Sequence, residues 1–188
     1  MMHKPLPPTP FYYNPKQVKA IVLGADPSNF TDKGKTRRLT KAFGIGDGDS
    51  RYFQGILKNL KEVGLGLEDI YVDNIIQNYL ESETSNNKDW YKIAETNIPL
   101  LKGRLDKLDK SREIPVLLTA EKIYKVLLND DIKRKKASEL YAKESSIPIS
   151  SLENKLRRPL IPFFRNKDYS LSNQELYKQK LSKIFNEK

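Results

Sequence analysis

The chain has 188 residues and a formal net charge of +10, because 34 Lys and Arg residues outnumber 24 Asp and Glu residues. It has no cysteine, which excludes disulfides, thiol catalysis and cysteine-ligated zinc or iron–sulfur sites. Its single histidine, His3, lies near the N-terminus and argues against a transition-metal enzyme or a His-based triad.

The basic surplus favours a polyanionic partner, and nucleic acid is the first candidate. The alternative is a lysine-rich surface with no such partner. The proline-rich start MMHKPLPPTPFYYNP lacks the apolar core of a signal peptide, and no apolar run reaches membrane-spanning length. We therefore expect a cytoplasmic protein with one domain over residues 1–188, in which residues 1–15 form an extended segment.

Four segments have the composition of strands. VKAIVLG (18–24) is a near-continuous apolar run, as found where both faces of a strand are covered. IYVDNII (70–76) is rich in β-branched residues, and IPVLLTA (114–120) is apolar. RPLIPFF (158–164) contains Pro159 and Pro162, which cannot donate to a ladder. This fourth strand should therefore be short or lie at a sheet edge.

Helical patterns separate and follow these strands. The first is SRYFQGILKNLKEVG (50–64), and the second is KDWYKIAETNIPLLKGRLDKL (88–108), with an expected break near Pro99. AEKIYKVLLND (120–130) follows the third strand, and NQELYKQKLSKIF (173–185) closes the chain. Strands that alternate with helices predict an α/β fold of three layers, α/β/α, with a four-stranded, mostly parallel sheet.

Polar residues stand at the ends of the predicted strands. Asp26 follows the first strand in Gly-Ala-Asp-Pro, Asn74 lies in the second, and Arg165 and Asn166 follow the fourth. Each has an ordinary explanation, such as turn formation by Asp26 and Asn166 or a backbone contact by Asn74. Ligands of an open parallel sheet, however, bind outside the carboxyl ends of its strands. The set as a whole therefore predicts one functional cleft.

These residues carry a resemblance to a known family. VLGADPSN resembles the first motif of the uracil-DNA glycosylase superfamily, in which a strand ends in Gly-x-Asp-Pro. IYVDNIIQNYL resembles that family's second strand, with a base-reading asparagine at Asn74. LIPFFRNKDYSL stands where the family carries its last motif, usually His-Pro-Ser. The resemblance covers roughly residues 15–185, and the ordered set is more specific than any single motif.

The resemblance implies a role for each motif residue. Asp26 would position and activate the water that attacks the sugar carbon, and it would stabilise the cationic sugar. The backbone of Gly24 and Ala25 would lie against the flipped base. Asn74 would read the pyrimidine edge, because an amide both donates and accepts hydrogen bonds.

Two further roles follow from the same resemblance. An aromatic ring after the first motif would stack on the base, with Phe43 as the first candidate and Phe30 as the second. For Phe43, core packing is an equally good explanation. The last-motif histidine of the family, which donates a hydrogen bond to the departing base, is absent here. Asn166 stands in its place and could donate through its amide.

Basic residues flank the predicted cleft. Phosphates beside the base would be contacted by Lys33, Lys35, Arg37, Arg38 and Arg165, with the basic run at 133–136 as a weaker candidate. A solvated helix face is the commoner explanation for such a run. The implied partner is DNA containing uracil or another damaged base, bound by a monomer without a metal, iron–sulfur cluster or other cofactor.

Three functions from different classes fit these observations. The first is a DNA glycosylase-like hydrolase that cleaves an N-glycosidic bond. The second is a non-catalytic nucleic-acid-binding protein that retains the same fold. The third is a hydrolase of free nucleosides or nucleotides. Asp26 favours catalysis, the missing histidine favours its loss, and the positive charge favours a polymeric substrate over a free nucleoside.

Overall fold

A four-stranded, all-parallel sheet forms the centre of the protein, as predicted. The computed structural model describes residues 6–28, 37–48 and 51–186. The strands are β1 (Ala20–Gly24), β2 (Ile70–Asn74), β3 (Val116–Leu118) and β4 (Leu160–Pro162), and their order across the sheet is β2-β1-β3-β4. Each lies within a predicted segment but is shorter, because the ends of these apolar runs leave the ladder.

The sheet is buried on both faces. Every residue of the four strands is buried, which explains why their sequences are apolar runs instead of alternating patterns, apart from Asp73 and Asn74 at the end of β2. Strand β4 has three residues and lies at the edge of the sheet, where Pro162 pairs in register with Leu118. The prediction that the proline-containing strand is short and peripheral is therefore confirmed.

Helices cover the two faces of this sheet. Within the described residues they are α1 (Arg51–Glu62), α2 (Trp90–Leu108), α3 (Glu121–Leu127), α4 (Ala137–Leu140) and α5 (Glu175–Asn186). Right-handed crossovers require α1 to lie on the face opposite α2 and α3, because the chain moves in opposite directions across the sheet. Lys178 of α5 pairs with Glu62 of α1 at 3.5 Å, so α5 shares the face of α1.

Single turns of 3₁₀ helix connect the larger elements. They are Pro15–Gln17, Ala42–Gly44, Leu67–Asp69, Ser151–Glu153, Lys167–Tyr169 and Leu171–Asn173. Across the described ranges, no helix combines the length and apolar character needed to cross a membrane.

Helix α2 is continuous through Pro99, so the expected break at this residue is wrong. Pro99 lies on the exposed side of the helix, where water can satisfy the carbonyl that the missing N–H leaves free. The buried face continues on both sides of it through Ala94, Ile98 and Leu101. Tertiary packing of this apolar face therefore overrides the local effect of the proline.

A buried arginine joins the end of α2 to the start of β4. The Arg158 side chain is fully buried and pairs with Asp109 at 2.7 Å and Asp106 at 3.2 Å. Its Nη2 also donates to the carbonyl oxygen of Leu105 at 2.8 Å. Burial of Asp109 acts to raise its pKa, but donors that include Ser111 and Arg158 lower the pKa from 3.8 to about 2.

We expect Arg158→Met to destabilise the protein strongly. Removing the cation leaves two carboxylates without their buried partner, which typically costs about 3–5 kcal/mol. Asp109, with its lowered pKa, contributes stability above its unfolded pKa of 3.8 that is lost as the pH falls toward about 2. The difference in free energy of unfolding between the two proteins should therefore be largest at neutral pH and shrink below about pH 4.

Denaturant unfolding at neutral and acidic pH measures this effect. Arg112→Met is the matched control, because Arg112 pairs with the same Asp106 carboxylate, at 2.7 Å, but on the surface. It should change stability little. Equal losses of unfolding free energy in the two variants would contradict the conclusion that the buried Arg158 is required for stability.

Candidate active site

A pocket of about 300 Å³ lies at the carboxyl edge of the sheet. In the strand order β2-β1-β3-β4, the connection from β1 to β2 and the connection from β2 to β3 run in opposite directions across the sheet. The carboxyl edge between β1 and β3 is therefore the switch point, where open α/β sheets bind ligands. The pocket is lined by Ala25, Asp26, Pro27, Ser28, Leu39, Phe43, Tyr52, Asn74, Glu83, Thr84, Ser85, Thr119, Ala120, Lys122 and Arg165. The predicted meeting of Asp26 and Asn74 in one cleft is confirmed.

The Asp26 carboxylate is held by three donors. Its Oδ2 accepts hydrogen bonds from Thr84 Oγ1 at 2.6 Å and from Trp90 Nε1 at 2.9 Å. Its Oδ1 accepts the backbone N–H of Ser28 at 2.9 Å. An ionised carboxylate offers about four lone-pair positions, and donors among the described residues occupy three of those of Asp26.

Asn74 also lines this pocket, and its side-chain amide faces no hydrogen-bond partner among the described residues. The residue is only 4% exposed, and its side chain makes no hydrogen bond with any residue in the described part of the chain. An amide that offers a donor and an acceptor inside a pocket is suited to a ligand with the complementary pair.

A buried ion pair holds the backbone of Asn74 in place. Arg104 Nε donates to Asp73 Oδ2 at 2.9 Å, and Arg104 Nη2 donates to the carbonyl oxygen of Asn74 at 3.1 Å. Asp73 Oδ1 in turn accepts the backbone N–H of Asn74 at 2.8 Å. Burial raises the pKa of Asp73, although the guanidinium beside it acts in the opposite direction. Asp73 and Arg104 are therefore positioning residues, and the sequence interpretation did not identify them.

Gly24 supports the site without lining the pocket. A Cβ at this position would overlap Asn74 Oδ1 and lie 2.6 Å from Phe43 Cε2. The amide of Asn74 and the ring of Phe43 cover this glycine, so it does not line the pocket, and its contact with a bound base stays a prediction. Ala25, the neighbouring residue, does line the pocket as predicted.

Phe43 is held in an unusual backbone conformation. Its φ of 59° and ψ of 10° lie in the left-handed region, which costs a residue with a Cβ roughly 1–3 kcal/mol. The ring is half-buried, lines the pocket and packs against Phe53 with ring centroids 5.7 Å apart. The strained backbone aims an aromatic ring at the pocket, which agrees with the prediction of an aromatic platform. The other candidate, Phe30, lies outside the described residues.

Lys122 is a cation of the pocket that the sequence interpretation missed. Its Nζ donates to the carbonyl oxygen of Thr84 at 2.6 Å and lies 4.8 Å from the ring centroid of Trp90. Burial lowers the pKa of Lys122, whereas the charge of Asp26 acts to raise it. The available signal was its position directly after the third strand, at the start of α3.

Arg165 and Asn166, which follow the predicted fourth strand, lie in different places. Backbone pairing continues from Arg165 N to Thr119 O at 3.0 Å, and this places Arg165 at the pocket as predicted. Asn166 does not line this pocket, which corrects the prediction of one cleft shared with Asp26 and Asn74. Its side chain accepts the N–H of Asp168 at 3.2 Å and caps a 3₁₀ turn, so it faces an adjoining depression instead.

The predicted phosphate contacts divide into three groups. Lys33 and Lys35 lie outside the described residues. Arg38 is exposed and Arg37 half-buried directly before Leu39, which lines the pocket, although neither arginine lines it. In the run at 133–136, Arg134 donates to backbone carbonyls that include those of Asp130 and Ile132, so part of this run stabilises its own loop.

No protein-family model and no curated protein matches this sequence. Within residues 6–28, 37–48 and 51–186, no group of three or more His, Asp or Glu side chains is arranged to hold a metal ion.

We expect Gly24→Ala to displace side chains that line the pocket and to destabilise the protein. The added methyl group would displace the Asn74 amide and the Phe43 ring, and such overpacking typically costs about 1–3 kcal/mol. Denaturant unfolding gives the stability, and the side-chain amide resonance of Asn74 reports the displacement. Gly103→Ala is the control, because a Cβ there meets nothing within 4 Å and alanine favours the helix. A Gly24→Ala protein with wild-type stability and an unshifted amide would contradict this account.

Proposed function

We propose that this protein is a DNA glycosylase-like hydrolase that cleaves the N-glycosidic bond of uracil or a related damaged base in DNA. The observation that carries this proposal is that Asp26 and Asn74 line one pocket and that the Asn74 amide has no hydrogen-bond partner among the described residues. The amide matches the O4 acceptor and N3–H donor of a pyrimidine. The carboxylate matches the sugar carbon that becomes positively charged when the base departs.

Each pocket residue has a role in this reaction. Asn74 reads the base edge, and the Phe43 ring supplies an aromatic surface for its face. Asp26, which lines the pocket, orients the attacking water, and its charge stabilises the oxocarbenium-like sugar. Water attacks the anomeric carbon as the bond to the base nitrogen breaks. The base leaves with the bonding electrons, and the proton of the water passes to the carboxylate.

Lys122 stabilises negative charge, whereas Asp26 stabilises positive charge. The departing base carries negative charge, and the Lys122 ammonium has three donors, of which the Thr84 carbonyl oxygen uses one. The aromatic ring of Trp90 and the nearby Asp26 favour the cationic form of this side chain. We assign to Lys122 the stabilisation of the leaving group, since Asn166 lies outside the pocket.

A non-catalytic nucleic-acid-binding protein is the second candidate. It is favoured by the three donors that already occupy Asp26, because the same contacts fix the loop that carries Thr84. In that case the carboxylate would be a structural anchor. An assay of base release from uracil-containing oligonucleotides and from free deoxyuridine distinguishes these candidates. A glycosylase acts on the oligonucleotides, a nucleoside hydrolase acts on deoxyuridine, and a non-catalytic binding protein acts on neither.

Asp26→Asn should lower the rate of base release by about a hundredfold to ten-thousandfold, the usual effect of losing one positioned acid–base group. DNA affinity should stay close to wild type, because binding depends on the basic surface. Base release is measured by alkaline cleavage of a labelled oligonucleotide. Trp90 is the only tryptophan and contacts Asp26, so its fluorescence reports whether the site remains intact.

Asp89→Asn is the control for this substitution. It removes one negative charge directly before Trp90 without changing the lining of the pocket, and it should leave the rate unchanged. Base release by wild-type protein that persists in Asp26→Asn would contradict the catalytic role. No release by wild-type protein from single-stranded or duplex substrates would leave the binding protein as the better assignment.

Asn74→Asp should change which base is accepted. It replaces an N–H donor with a second acceptor, which opposes O4 of uracil but suits the exocyclic N–H of cytosine. We expect the ratio of uracil to cytosine release, measured on otherwise identical oligonucleotides, to fall by at least about tenfold, the effect of roughly one mismatched hydrogen bond. An unchanged ratio would show that Asn74 does not read the base.

A further inference from the structure

A depression of about 680 Å³ adjoins the pocket and takes no part in the chemistry proposed above. We infer that it binds the unpaired nucleotide next to the target base, and that the substrate is therefore single-stranded DNA. This inference rests on the proposed function, because it assumes that the target nucleotide enters the first pocket. It names the form of DNA that this function requires.

The pocket and the depression are parts of one continuous surface. Tyr52, Thr119, Ala120 and Arg165 line both of them. A strand whose target base occupies the pocket would therefore pass these residues and place a neighbouring nucleotide in the depression.

Tyr52 has the properties of a stacking platform. It stands in the first turn of α1, and 54% of its surface is exposed, which is high for a large aromatic residue. The guanidinium carbon of Arg165 lies 5.3 Å from the centroid of its ring. An aromatic ring beside an exposed arginine is a combination that binds bases and phosphates of single strands.

The charge of the depression suits a polyanion. Arg165 and Lys167 are exposed and form no ion pair within the described part of the chain. The carboxylate of Glu121 also lines the depression, but Lys125 neutralises it at 2.8 Å. Asp168 is exposed beside Lys167 and does not line the depression. Two cations therefore remain available to the phosphates of a passing strand.

The platform discriminates between single strands and duplexes. In a duplex, the base beside the target is stacked on its neighbours, so its face is not free for Tyr52. In a single strand that face is available, and stacking on an aromatic side chain requires no particular sequence. The depression therefore favours unpaired DNA without restricting which base stands beside the target.

Fluorescence anisotropy with one labelled uracil-containing strand, alone and annealed to its complement, tests the inference. The wild type should bind the single strand more tightly. Tyr52→Ala should weaken that binding by about 5- to 150-fold, the range for loss of one base–aromatic stack, and should change duplex binding little. Tyr52→Phe keeps the ring and should retain the affinity. Tyr13→Ala is the matched control, because Tyr13 is 65% exposed and lines neither cavity.

The outcomes separate this inference from the proposed function. Base release that is unaffected by Tyr52→Ala, with equal affinity for single strand and duplex, would overturn the platform and leave the glycosylase standing. Absence of base release, together with the expected loss of single-strand affinity in Tyr52→Ala, would overturn the glycosylase and leave the platform standing. Tighter binding to duplex, an equal loss in Tyr13→Ala, or tighter binding to the same sequence as RNA would each overturn single-stranded DNA as the ligand.

Discussion

The parallel pairing of β1 with its two neighbours is the constraint on which the site depends. Gly24 stands opposite Asn74 in the β1–β2 ladder, and Leu23 stands opposite Leu118 in the β1–β3 ladder. Because all strands run in one direction, their carboxyl ends meet at one edge, and the residues that follow them must share it. Gly24 is the tightest point of this arrangement, since any side chain there would occupy the space of the Asn74 amide. The same pairing that builds the core therefore fixes the distance between the amide and the carboxylate that follows β1.

Helix α2 connects this edge to the rest of the molecule through polar contacts. Trp90 in its first turn donates to Asp26, and Arg104 further along fixes the backbone of Asn74. Just beyond its end, Asp109 receives the buried Arg158 that precedes β4. Buried ion pairs of this kind contribute little net stability when complete, but loss of one partner is costly. We interpret them as devices that fix the position of α2 against the sheet, and with it the orientation of both functional side chains.

The sequence predicted the structural features that depend on local residue patterns. It did not predict the side-chain positions that depend on long-range packing. The four strands, the edge position of the proline-containing strand and the shared edge of Asp26 and Asn74 follow from apolar runs and parallel topology. Asn166 was misplaced because its side chain accepts the N–H of Asp168 and caps a 3₁₀ turn, the ordinary turn-forming role that its place after a predicted strand did not favour. Lys122 and Arg104 were missed for a related reason, since lysine and arginine are common on exposed helix faces and only the tertiary contacts distinguish these two. Pro99 shows the converse, in which a strong local signal is overridden by a buried helix face on both of its sides.

The arrangement of charge around Thr84 suits the proposed reaction, which separates charge. The Thr84 hydroxyl donates to Asp26, and its carbonyl oxygen accepts from Lys122, so one residue holds a fixed anion and a fixed cation on its two sides. Cleavage of an N-glycosidic bond creates a positive sugar and a negative base in the same instant. Groups that are already oriented need no reorganisation when those charges appear, and this is the condition under which electrostatic stabilisation is most effective. The hydrogen bonds that anchor Asp26 are therefore compatible with the proposed catalysis, because they hold the carboxylate still where it lines the pocket.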